Sequence, residues 1–130
     1  MNFREIRPSR NRSKSDVRDI VRVSFPKIKT GNTMIMYIGK NIAEQIGIHG
    51  GEKVKFYVDD HNPRIWLVKK SEDDIGYKIL DIDRQSGKKS DVVRMQMTWK
   101  EFKPEDDEIP LKTVTHDFID GGVRVILKQK

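Results

Sequence analysis

"MYIGKNIAEQIGIHGGEKVKFYV", residues 36–58, sets a short helix between two strands with almost no connecting chain. Gly39-Lys40 leads into the helix, and Gly47 followed by Gly50-Gly51 leads out of it. Ile42, Ala43 and Ile46 fall at i, i+1 and i+4, which is one helical face. Asn41 or Gly39 stands where an N-cap belongs, and Gly47 where a left-handed residue closes a helix. Two turns do not hold together alone in water, so the pattern predicts a helix that exists by packing on its flanking strands.

Working outward, the β pattern continues on both sides. "DIVRVSFPKIK" alternates Val21, Val23 and Phe25, with Pro26 marking a strand end, an edge or a bulge. "TGN" reads as a turn and "TMIMYI" as a buried strand, which together make a hairpin with its tip near Gly31. "EKVKFYV" alternates Val54, Phe56 and Val58 with Lys53, Lys55 and Tyr57, and "DDHNP" turns it into the returning strand "RIWLVKK". Further on, "YKILDID" and "DVVRMQMTW" form a hairpin with Val93, Met95, Met97 and Trp99 on one face. "KEFKPEDDEIP" is too polar for a strand. "TVTHDFI", "DGG" and "VRVILK" give the clearest hairpin, since Asp-Gly-Gly supplies the positive φ angles of a tight turn. The expected architecture is mainly β (β-rich α+β): a small swapped-hairpin or barrel-like domain with about eight strands in several hairpins and one short helix.

Composition bounds what such a chain can do. Its 130 residues, 35% hydrophobic and 35% charged, suit one small β domain with a thin core. The expected organisation is a flexible basic arm at 1–19 and a single β-rich domain at 20–130. Within that domain, 20–70 is the strand-helix-strand unit and 71–130 adds further hairpins. A thin core leaves apolar strand surface to cover, so a homodimer is expected. The absence of cysteine excludes a disulfide framework, a Cys zinc site and a Cys nucleophile. No apolar run approaches a membrane span and the opening residues carry no signal-like apolar region, so a cytoplasmic protein is expected.

The net charge of +6 is uneven. Residues 1–70 hold 15 Lys and Arg against 7 Asp and Glu, or +8, while residues 71–130 hold 11 against 13, or −2. A basic front faces polyanions. Its candidate phosphate contacts are Arg4, Arg7, Arg10, Arg12 and Lys14 on the arm, and Lys27, Lys29 and Lys40 on the folded body. The sequence offers no catalytic constellation. His49, His61 and His116 are isolated, and the Asp81-x-Asp83 pair lacks the partners of a Mg²⁺ nuclease site. No enzyme activity, metal or cofactor is therefore expected. The acidic runs at 72–74 and 105–108 read as solvated loops, with docking on a basic partner as their sharper reading. Tyr57 and Trp66 are the local candidates for base stacking, weighed against burial in the core.

Residues 33–70 resemble the AbrB-type swapped-hairpin family of prokaryotic DNA-binding proteins. Gly39-Lys40 stands at that family's Pro-Lys-like step, Ile42 and Ile46 at its helix core, Ile46-Gly47-Ile48 at its Leu-Gly-Ile, and Gly51-Glu52-Lys53-Val54 at its Gly-Asp-Lys-Val-like strand start. The resemblance implies a barrel made by interleaving hairpins, with the short helix over one end. It also implies DNA binding, as in a small prokaryotic or phage regulator that contacts the phosphate backbone. The family's basic residues before the Pro-Lys step are replaced here by apolar Met34 to Ile38. That departure keeps a second expectation open, a non-enzymatic accessory or inhibitor module that docks on a larger protein complex.

Overall fold

The computed structural model describes residues 17–28, 31–81 and 91–127. In chain order they form β1 (Val21–Ser24), β2 (Lys27–Ile28), β3 (Gly31–Gly39), α1 (Lys40–Gln45), β4 (Lys53–Val58) and β5 (Ile65–Lys70). Then follow β6 (Tyr77–Lys78), β7 (Leu80–Asp81), β8 (Val92–Trp99), β9 (Lys112–Ile119) and β10 (Gly122–Ile126). A 3-10 turn at Val17–Asp19 precedes β1, so folded chain begins ahead of the expected arm boundary at 19. Its backbone passes so close to Gly39 that a Cβ there would lie 2.4 Å from Arg18.

All strand pairings are antiparallel, and the sheet runs β6-β4-β5-β10-β9-β1-β3-β8-β7, with β2 extending the β3 edge. The two ends of that order, β6 and β7, are joined through Ile79 alone. They act as one stave that pairs β4 on one side and β8 on the other, so the sheet curls into a nearly closed barrel of eight staves.

The pairing has a twofold pattern. The β1–β3 hairpin of the front half matches the hairpin of the 77–81 stave with β8, and β4–β5 matches β9–β10. β1 pairs β9 as the stave pairs β4, and the halves meet along β3–β8 and β5–β10. Each half crosses the barrel between its hairpins, the front half through α1 and the rear half through residues 100–111. The interleaving thus takes place within one chain. The apolar strand surface that gave rise to the expectation of a homodimer is covered by the rear half.

Alternation decides what faces inward. Val21, Met36, Ile38, Val54, Val68, Met95 and Val125 are fully buried along the barrel axis. One end is filled by rings: Phe25, Phe56, Trp66, Trp99 and Phe102 meet at centroid separations of 4.9–6.2 Å. The other end is covered by α1, whose Ile42 and Ala43 are buried together with Ile46 and Ile48 just beyond it. Gly47 has φ +77, the left-handed residue its position required. Asp120 and Gly121, at φ 50 and 78, make the tight β9–β10 turn. Since Ile46 is buried and Gln45 exposed, Ile46→Ala should cost about 2–4 kcal/mol and Gln45→Ala less than about 0.5 kcal/mol in chemical denaturation. Equal losses would contradict this helical face.

Candidate nucleic-acid interface

The cationic side chains of the barrel wall come from positions alternating with the core. Arg22 lies between buried Val21 and Val23, Lys53 and Lys55 flank buried Val54, and Lys78 precedes buried Ile79. Each therefore points outward. Strand register then sets them side by side. Arg22 is opposite Tyr37, Tyr37 opposite Arg94, and Arg94 opposite Leu80. Two residues along the same stave, Lys78 is opposite Lys53, and on the next pair of strands Lys55 is opposite Lys69.

The result is a band of six cations on the outer wall, crossing from β1 to β5 over five strand spacings, or roughly 24 Å. It lies nearer the α1 end of the barrel. The Arg22 guanidinium sits 5.7 Å from the centroid of the Tyr37 ring, and Arg94 Nη2 donates to Gln96 Oε1 at 2.7 Å. Arg22, Lys69, Lys78 and Arg94 have no ion pair among the described residues. Like charges directly opposite one another on a sheet repel, so the Lys53–Lys78 and Lys55–Lys69 pairs favour a counter-anion.

The protein supplies part of that anion from its own loop. Lys55 Nζ donates to Asp73 Oδ2 at 2.8 Å, and Lys53 Nζ donates to the Asp74 carbonyl at 3.0 Å. Asp73 also accepts from Ser71 Oγ and from the Ile75 amide. The Lys55 ammonium first, then the Ile75 amide and the Ser71 hydroxyl, push the Asp73 carboxyl down to about 2. Because this pKa is depressed on folding, the bond contributes fully above the ordinary carboxylate range and is lost as pH falls through about 2. An NMR carboxyl titration should therefore place Asp73 near 2 rather than at its usual 3.8, while a value near 3.8 would show the loop detached in solution. The run at 72–74, expected to be merely solvated, is in part the counterion of the lysine ladder.

The candidate residues chosen from sequence fall differently. Arg4, Arg7, Arg10, Arg12, Lys14 and Lys29 lie outside the described residues, as does Asp83. Lys40 opens α1, and its amide donates to the Asp91 carbonyl at 2.9 Å, which places it at the band's end of the barrel. Lys27 pairs with Asn32 at the far end of β3, about 17 Å along the strand from the Tyr37 row of the band, and does not join it. Sequence reasoning missed all six band cations: Arg22, Lys53, Lys55, Lys69, Lys78 and Arg94. Their outward alternation was visible, but their adjacency depends on which strands pair.

The other candidates are sorted by burial. Trp66 is buried and its Nε1 donates to the Pro63 carbonyl at 2.8 Å, which removes it from stacking, whereas Tyr57 is exposed. The expectation that residues 105–108 are solvated is corrected at Glu108. That side chain is buried and takes a two-pronged hydrogen bond from Arg64, both contacts at 3.0 Å. Glu105, Asp107 and Glu108 approach within 4.8 Å of one another, but Glu108 is committed to Arg64 and to the Glu105 amide. His49 bonds Glu52 at 3.0 Å and lowers the Glu52 pKa. No helix among the described residues is long and apolar enough to cross a membrane. Comparison with protein-family models, with curated proteins and with solved structures finds no match to this chain.

Proposed function

We propose that the chain is a nucleic-acid-binding protein, a swapped-hairpin barrel built from one chain that grips the phosphate backbone with its cationic wall. The observation that carries this reading is the six-cation band, whose ion-paired carboxylates among the described residues belong to the Ser71–Ile75 loop. The 3-10 turn that receives the basic arm lies against Gly39, at the same end of the barrel as the band. The resemblance of residues 33–70 to AbrB-type proteins points the same way and makes a DNA-binding regulator the favoured form, with no catalytic step.

Lysines and arginines on a convex strand surface meet phosphates as separate charges. Reading base edges requires a helix or ribbon set in a groove, so binding is sequence-tolerant. Each phosphate neutralised adds about 0.9 to the slope of log K against log salt, so four to six contacts give a slope of about −4 to −5. Titration of the full chain with duplex DNA, single-stranded DNA and RNA at several salt concentrations tests this. Binding with such a slope is the expected result. No binding to any of the three at about 50 mM salt would overturn the reading.

A further inference from the structure

The stave of residues 77–81 fills only part of the seam between β4 and β8. It is a true closing strand over its own length. Ile79 donates to the Glu52 carbonyl and accepts from the Gly51 amide on the β4 side, while Leu80 pairs Arg94 on the β8 side. Gly76 ends it: φ is +140, and a Cβ there would lie 2.2 Å from the Val54 carbonyl oxygen. The chain reaches this point from the Ser71–Ile75 loop and not from the seam. Beyond Gly76, β4 continues through Phe56–Val58 and β8 through Thr98–Trp99, with no strand of the described residues between them.

Strand alternation shows what those edges present. Lys53 and Asp59 bond toward the β5 side, so Phe56 and Val58 turn their N–H and C=O groups into the seam. Asp91 bonds Lys40 on the β3 side, so Thr98 faces the seam from β8. Between these edges lies a cleft of about 770 Å³ lined by Phe56, Tyr57, Tyr77, Thr98 and Trp99, with Lys100 and Glu101 at its border. Trp99 Nε1 is buried without a hydrogen-bond partner. Where 77–81 occupies the seam, its flanks are two strand spacings apart, roughly 9.6 Å.

We propose that this cleft binds an extended peptide segment of a partner protein, which pairs through its main chain with β4 and β8 at once and prolongs the 77–81 stave. The choice of a peptide rests on the open edges, which ask for alternating amides and carbonyls, and on the border charges, where one Lys and one Glu cancel. A polyanion has no such reason to enter. About four residues, or roughly 13 Å of strand, would fill the seam antiparallel to both neighbours. Side chains on one side of it meet Phe56 and Trp99, which favours apolar residues at alternate positions. None of the six band cations lines the cleft, so this inference stands apart from the nucleic-acid reading.

The test is selection of a random seven-residue peptide library on the full chain, followed by amide exchange of the isotope-labelled complex. Peptides with alternating apolar residues should emerge, and bound peptide should slow exchange at Phe56, Val58 and Thr98. Methylating the peptide nitrogens that face β4 should weaken binding at least about tenfold, the expected loss for removed main-chain hydrogen bonds. Selected peptides that leave those three amides unprotected, or that tolerate methylation, would overturn the proposal, as would failure to select any. Protection in the peptide-free chain that vanishes on deleting residues 1–16 would also overturn it, assigning the seam to the chain's own arm.

Discussion

Glu108→Ala is expected to destabilise the barrel by about 2–3 kcal/mol, because it leaves the half-buried Arg64 guanidinium without its carboxylate partner. Arg64 is fixed by both Glu108 oxygens and lies 4.3 Å from the Phe102 centroid, over the ring-filled end of the core. Glu108 also accepts from the Glu105 amide, so its loss releases the turn at residues 105–108 as well. The hydrogen bond to Glu108 raises the Arg64 pKa, and arginine keeps its charge throughout the accessible range. Replacing both partners, as in Arg64→Met with Glu108→Leu, should cost less than Glu108→Ala alone, since no charge is then left unpaired. Denaturant unfolding of the three proteins measures this. A single-variant loss below about 1 kcal/mol, the range of exposed ion pairs, would contradict the buried pairing.

Arg22→Gln, Lys78→Gln and Arg94→Gln combined should weaken DNA binding on the order of 10²-fold at about 0.1 M salt. The three lost contacts should also flatten the salt slope by about 2.7. All three are wall positions without ion pairs among the described residues, so each change should alter stability by no more than about 0.5 kcal/mol. Lys27→Gln, at the far end of β3, serves as the comparison and should change the slope little. A triple variant with the parent's slope would place the contacts elsewhere on the chain.

Much of the barrel was legible because its strands alternate cleanly. The Val21-x-Val23 and Val93-x-Met95-x-Met97 runs, the Ile42, Ala43 and Ile46 face and the Asp120-Gly121 turn each declare themselves locally. Closure did not. Leu80 and Tyr77 belong to one stave that pairs two different strands, and nothing near them in sequence indicates β4 or β8 as partners. For the same reason the rear half could be read as added hairpins but not as the covering of the front half. Glu108 was misread because a carboxylate in an acidic run is ordinarily solvated. Its partner Arg64 is forty-four residues away, on the connection between β4 and β5. The cationic band failed in the same way, since register and not sequence distance brings Arg22, Arg94 and Lys78 together.

The most direct measurement is an amide and side-chain NMR titration of the labelled full chain with a short DNA duplex at low salt. The Arg22 and Arg94 guanidinium signals and the amides of Tyr37, Lys53, Lys69 and Lys78 should shift together along one binding curve, with Lys27 unmoved. Shifts confined to residues 1–16, or centred on the barrel face opposite β1, β3 and β8, would contradict a phosphate-binding wall.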